Sequence, residues 1–212
     1  MTDANYNRFA GQNVKRIEAI SDGVFAVALT LLVLDIRVPV TEAIHSEGDL
    51  VHALCGLMPK FLSYFLSFMT LGIFWTGQSA QYYYIERSDR DLSWISLFFL
   101  LFVSLLPFST AFLSAFLPYK FPVFVYWLNI FMLGFSLYIH WQYAYKKGFV
   151  NAPESERAAI GKAIKLRIIR AQTLYGCAAL LCLVNSYLSI AMIILIQLNY
   201  ALGLVSGREK NR

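Results

Sequence analysis

Charge is what this 212-residue chain has least of: Asp, Glu, Lys and Arg make up 15% of it, against roughly 25% in an ordinary soluble domain. The shortage is uneven. No charged residue occurs from Phe61 to Ile85, Leu92 to Tyr119, Phe121 to Tyr145 or Ala171 to Gly207. Each run exceeds the roughly 20 apolar residues that cross a hydrocarbon core. A soluble domain of this size cannot hide so many charge-free helix lengths. Cytosolic, secreted and disordered chains are thereby excluded, and an all-α polytopic membrane protein is expected.

Cysteine is also scarce. Cys55, Cys177 and Cys182 lie in or beside apolar segments without CxxC spacing, which excludes a disulfide framework and reads as small core hydrophobes. Catalytic patterns are missing as well. His45, His52 and His140 are scattered, with no HExxH, no nucleophile elbow and no Gly-rich loop followed by Lys. Asp22 and Asp35 stand 13 residues apart, roughly 20 Å along a helix, too far to share a proton as a protease dyad. No enzyme activity, metal site or cofactor is expected. Nor is a cleavable signal peptide, because the N-terminus is polar and charged residues follow the first apolar run.

What is present is 58% hydrophobic and 16% aromatic. The charge-free runs predict spans over about Pro59–Tyr83, Leu92–Phe116 (kinked at Pro107) and Val123–Tyr145. Ala171–Gly207 would be about 55 Å long as one helix, so two spans broken near Asn185 and Ser186 are expected. The first apolar run, Gly23–Leu34, is too short to cross alone and must carry Ser21, Asp22 and Asp35 at its ends. Ionisable residues there normally face a bundle interior or a water path, so this helix is expected to be central. Six spans result, a single channel-sized domain over 1–212.

Basic residues set the orientation. With a cytoplasmic N-terminus, all Lys and Arg fall inside except Arg37, Lys60 and Lys120. Both termini are then cytoplasmic, and the +5 net charge is a topology signal instead of a nucleic-acid footprint. Tyr82 to Tyr84, Trp94, Tyr119, Trp141, Tyr143 and Tyr145 are expected as interfacial anchors. Asn151-Ala-Pro-Glu predicts the start of a surface helix that runs into the fifth span. The stretch from Ile36 to Leu50 reads as an external loop whose Glu42, Glu47 and Asp49, with Asp35 at its edge, attract cations weakly. Lys162, Lys165, Arg167 and Arg170 precede a span and do not form a voltage sensor within one.

Arg16-Ile-Glu-Ala-Ile-Ser-Asp22 resembles the signature of the transmembrane protein 175 family, the endosomal and lysosomal potassium channels and their single-repeat bacterial relatives. That signature is Arg, three residues, then Phe-Ser-Asp. Arg16, Ser21 and Asp22 match in spacing, with Ile20 in place of the aromatic. Gly23-Val-Phe-Ala, Thr30-Leu-Leu-Val-Leu-Asp35, Phe74-Trp75 and Leu105-Leu106-Pro107-Phe108 agree too. One departure is Gln78, where the family often has a His that can titrate.

The resemblance implies a homotetramer in a bacterial cell membrane, with the first helices around a central pore that passes cations and prefers K+. It implies no carbonyl filter, and no Thr-Val-Gly-Tyr-Gly run occurs. It also implies a narrow pore lined by Val27, Leu31 and Leu34, with Thr30 near the axis. Gly23, Val27, Thr30, Leu31 and Leu34 share one helical face, compatible with a dewetting constriction and equally with packing in a bundle core. Arg16, Ser21 and Asp22 are expected to tie the first helix to its neighbours, Asp22 being alternatively a cation site at the cytoplasmic mouth. A proton-coupled or cation secondary transporter and a non-conducting membrane scaffold are the other classes. The near absence of ionisable residues in the later spans, and of an inverted repeat, counts against the transporter.

Overall fold

The computed structural model describes residues 13–40 and 44–202; Arg8, Glu42, Arg208, Lys210 and Arg212 lie outside them. Among the described residues there are seven α-helices. They are α1 (Val14–Leu31, extended by a 3-10 turn Leu32–Asp35), α2 (Glu47–Gly56), α3 (Met58–Tyr82) and α4 (Arg90–Ala115). After these come α5 (Lys120–Lys146), α6 (Glu154–Leu180, with a 3-10 turn Leu181–Leu183) and α7 (Ser186–Leu202).

Val14–Asp35, Arg90–Ala115, Lys120–Lys146 and Glu154–Leu183 are each long and apolar enough to cross a membrane. The pair α2–α3, bent by 42°, meets the same test as one broken span, and α7 is a shorter apolar helix.

Side chains close several of the helix starts. Asn13 Oδ1 accepts from the Arg16 N–H at 3.2 Å, and Asp89 Oδ1 from the Leu92 N–H at 2.9 Å. Asn185 Oδ1 accepts from the Tyr187 N–H at 2.8 Å. Such caps satisfy N–H groups that have no partner inside the helix, and Asn185 marks the expected break before the last helix. The surface helix expected after Pro153 is continuous with the fifth span as α6.

One element of the external loop departs from expectation. Ser46 Oγ accepts from the Asp49 N–H at 3.1 Å and donates to Asp49 Oδ2 at 2.8 Å, starting α2 where a loop was expected. Asp49 Oδ2 also accepts from the His45 N–H at 3.1 Å, so its carboxylate is ordered by the cap while keeping its charge.

The core gathers on α4 and α5, the most extensive helix pair. From α1, Phe25, Ala28 and Leu32 are buried at i, i+3 and i+7. Phe25 and Phe74 flank Phe99, with ring centroids 5.9 and 6.4 Å away. One set of polar groups buried in this bundle pairs within itself. Thr110 Oγ1 donates to Ser67 Oγ at 2.6 Å, and Ser67 Oγ donates to the Tyr126 hydroxyl at 3.2 Å. Thr70 Oγ1 lies 3.0 Å from the same hydroxyl and accepts from Gln197 Nε2 at 2.6 Å. Four helices, α3, α4, α5 and α7, meet at this chain of hydroxyls and amide.

Three expectations about individual side chains need correction. Tyr82 and Trp141 are buried: the Tyr82 hydroxyl donates to Ser96 Oγ at 3.3 Å, and Trp141 packs between Tyr84 and Tyr145. Neither is an interfacial anchor. Of the cysteines only Cys182 is in the core; Cys55 and Cys177 are exposed, because apolar helices in a membrane chain need not turn every apolar residue inward. His140 is buried as well, with Nδ1 2.7 Å from Gln81 Oε1.

Candidate functional site

The helix α1 has two unlike faces. Ser21, Phe25, Ala28 and Leu32 are buried against α3 and α4. On the opposite side Val27, Leu31 and Leu34 are 57%, 43% and 67% exposed, and Gly23 and Thr30 are exposed with them. The residues named from the family resemblance as pore-lining thus share the face that the chain itself leaves uncovered.

Thr30 is the polar member of that face. Its hydroxyl donates back into its own helix, 2.8 Å from the Val27 carbonyl and 3.1 Å from that of Ala26. With the proton so committed, the lone pairs of Oγ1 point away from the helix axis and are free to accept or to meet a cation.

Two carboxylates fasten α1. Near the middle of the helix Trp75 Nε1 donates to Asp22 Oδ1 at 2.8 Å. One turn further along α3, the buried Gln78 Nε2 donates to Ser21 Oγ at 3.4 Å, while Ser21 Oγ donates to the Ile17 carbonyl at 3.0 Å. At the C-terminal end Ser114 Oγ of α4 donates to Asp35 Oδ2 at 2.8 Å, and Lys60 Nζ donates to the Asp35 carbonyl at 3.1 Å. The helix is thus held at its middle and its C-terminal end, to either side of the exposed Val27, Thr30 and Leu31.

Arg16 is exposed, and its backbone N–H is part of the Asn13 cap. Among the described residues it makes no ion pair with Asp22 within the chain. Trp75, Ser114 and Lys60 were not foreseen as partners, although Phe74-Trp75 was already legible as a matching motif. The position of Gln78 was flagged for what it cannot do; its contact with Ser21 shows what an amide can do there. Among the described residues no three His, Cys, Asp or Glu side chains cluster as a metal site.

Residues 16–107 match the family model described as "Endosomal/lysosomal potassium channel TMEM175". A potassium channel of Streptomyces collinus is 42% identical over 102 residues, which are 48% of this chain and 48% of that relative. The human endosomal/lysosomal proton channel TMEM175 is 37% identical over 107 residues, 48% of this chain and 21% of its own length. The match thus spans about half the length of the first relative and much less of the human one. A solved structure covers more: that of a lysosomal potassium-selective channel TMEM175 homolog from Chamaesiphon minutus. It superposes with a TM-score of 0.78 at 28% identity, over 89% of this chain and 96% of that one.

Proposed function

From a chain homologous to the transmembrane protein 175 family, we propose a passive, potassium-preferring cation channel assembled from several copies. The single observation that carries the proposal is the uncovered face of α1: Val27, Leu31 and Leu34 stand exposed beside Thr30 on a helix anchored at its middle and at its C-terminal end. Arranged around a symmetry axis, as a homotetramer, such faces form stacked rings of branched aliphatics with one ring of hydroxyl oxygens between them. Apolar rings of this kind restrict flow by dewetting. No cofactor takes part; the permeant K+ ion is the only ligand the proposal needs.

Six spans per subunit are proposed from α1, the bent α2–α3 pair, α4, α5, α6 and α7, forming one channel unit over 1–212. The distribution of Lys and Arg supports cytoplasmic termini, and the similarity to bacterial channels supports a bacterial cell-membrane setting. Arg16, Ser21 and Asp22 act as the motif that fixes α1, Asp22 accepting from Trp75 and Ser21 from Gln78. Among the described residues no Asp, Glu, Lys or Arg side chain is buried, which favours passive conduction over a transporter with an internal coupling relay.

The test is potassium flux from proteoliposomes holding a potassium gradient, with a protonophore carrying the counter-current. Flux that falls when sodium replaces potassium supports the proposal; intact but monomeric and silent protein overturns it. Proton conduction is a second reading, favoured by the name of the similar human protein. Acidification of the same vesicles without protonophore would establish it.

A further inference from the structure

A groove of about 340 Å³ lies on the basic stretch of α6, where Tyr145, Gly161, Lys162, Lys165, Leu166 and Ile169 line it. Gly161 lets the two helices approach, since a Cβ there would sit 2.8 Å from Tyr145 Cε2. The Tyr145 ring lies on this glycine, with the Arg157 guanidinium 5.3 Å and Lys165 Nζ 5.4 Å from its centroid. Positions 161, 162, 165, 166 and 169 follow one helical face, cationic toward the N-terminus and apolar toward the span. Leu166 and Ile169 are exposed.

The positive-inside rule accounts for basic residues on this side of the membrane. It does not account for two lysines left without a carboxylate. Among the described residues neither Lys162 nor Lys165 has an ion-pair partner. Lys165 stands six residues before the charge-free stretch that opens at Ala171, about 9 Å along the helix. That distance places its ammonium group among the lipid headgroups, with Leu166 and Ile169 at the level where acyl chains begin.

We infer that this groove binds the headgroup of an anionic glycerophospholipid, its phosphate held by Lys162 and Lys165 and its chains laid along Leu166 and Ile169. Cationic rim and apolar floor complement the two parts of such a lipid, and basic surfaces at this depth recognise anionic headgroups. The inference rests on α6 entering the membrane and is independent of whether the protein conducts.

The experiment is native mass spectrometry of the full chain in detergent with added phosphatidylglycerol or phosphatidylcholine of identical chains. The wild type is expected to retain phosphatidylglycerol preferentially. K162Q/K165Q lowers that retention about thirtyfold, at the strength usual for two basic residues at a lipid surface, and leaves phosphatidylcholine unchanged. K15Q/R87Q, which removes two exposed charges elsewhere, leaves both unchanged. Undiminished retention in K162Q/K165Q overturns the inference, as does an equal fall in K15Q/R87Q, which marks diffuse attraction. Displacement by millimolar inorganic phosphate assigns the groove to a soluble anion and overturns the lipid as its ligand.

Discussion

The indole N–H of Trp75 donates to Oδ1 of Asp22 across 2.8 Å, joining α3 to the middle of α1, the helix whose other face is uncovered. The carboxylate therefore has a partner inside its own chain and needs none from Arg16. One turn away Gln78 repeats the tie through Ser21.

If Asp22 is an anchor, Trp75→Phe and Asp22→Ala each destabilise the protein by about 1 kcal/mol, and the double variant costs little more than either. Asp22→Asn keeps an oxygen that can accept from Trp75, so it costs less than Asp22→Ala. Thermal unfolding in detergent reads all four. A cation site at the mouth gives the opposite signature: Asp22→Asn cuts flux and leaves stability intact.

Neighbouring leucines on α1 should behave differently. Leu32 is buried and Leu31 is exposed. Leu32→Ala leaves a core cavity costing about 2–5 kcal/mol without altering leak in the folded protein. Leu31→Ala costs little stability and raises leak conductance in proteoliposomes.

The Tyr126 hydroxyl joins Ser67 and Thr70 in the bundle core. Tyr126→Phe is expected to lower stability by roughly 1 kcal/mol, the upper part of the usual range for hydrogen bonds between membrane helices. Because this network lies away from the α1 face, the potassium preference is expected to be unchanged in the same vesicle assay.

Gly161→Ala places a methyl 2.8 Å from the Tyr145 ring, which Arg157 and Lys165 flank. A destabilisation of about 1–3 kcal/mol is expected from overpacking, read as a fall in melting temperature. Gly134→Ala meets instead the end of the Gln172 side chain, which can swing aside and lose its 3.2 Å bond to the Ile130 carbonyl. Its cost is smaller.

The long spans were legible because absence of charge over a helix length is a local property of the sequence. α3, α4 and α5 begin and end within a few residues of the charge-free runs, and Asn185 caps the last helix where the break was expected. α2 was missed because its start depends on a short cap, Ser46 with Asp49, inside a polar stretch that otherwise reads as loop. The exposed face of α1 was legible as a periodicity, but periodicity alone does not say whether a face packs inward or outward. The partners of Asp22 and Asp35 were not legible, because Trp75 and Ser114 reach them from 53 and 79 residues away. Burial of Trp141 and His140 was hidden for a similar reason: an aromatic near a span end looks like an anchor until the neighbouring helix is in place.

The most direct test of the central claim is thiol block of potassium flux, with Cys55, Cys177 and Cys182 replaced by serine or alanine. A small cationic thiol reagent is applied to Leu34→Cys, at the C-terminal tip of α1, and to Leu101→Cys, exposed on α4. The account predicts that flux through Leu34→Cys protein is blocked while flux through Leu101→Cys protein continues. Equal block at both positions, or free flux through fully modified Leu34→Cys protein, would contradict it.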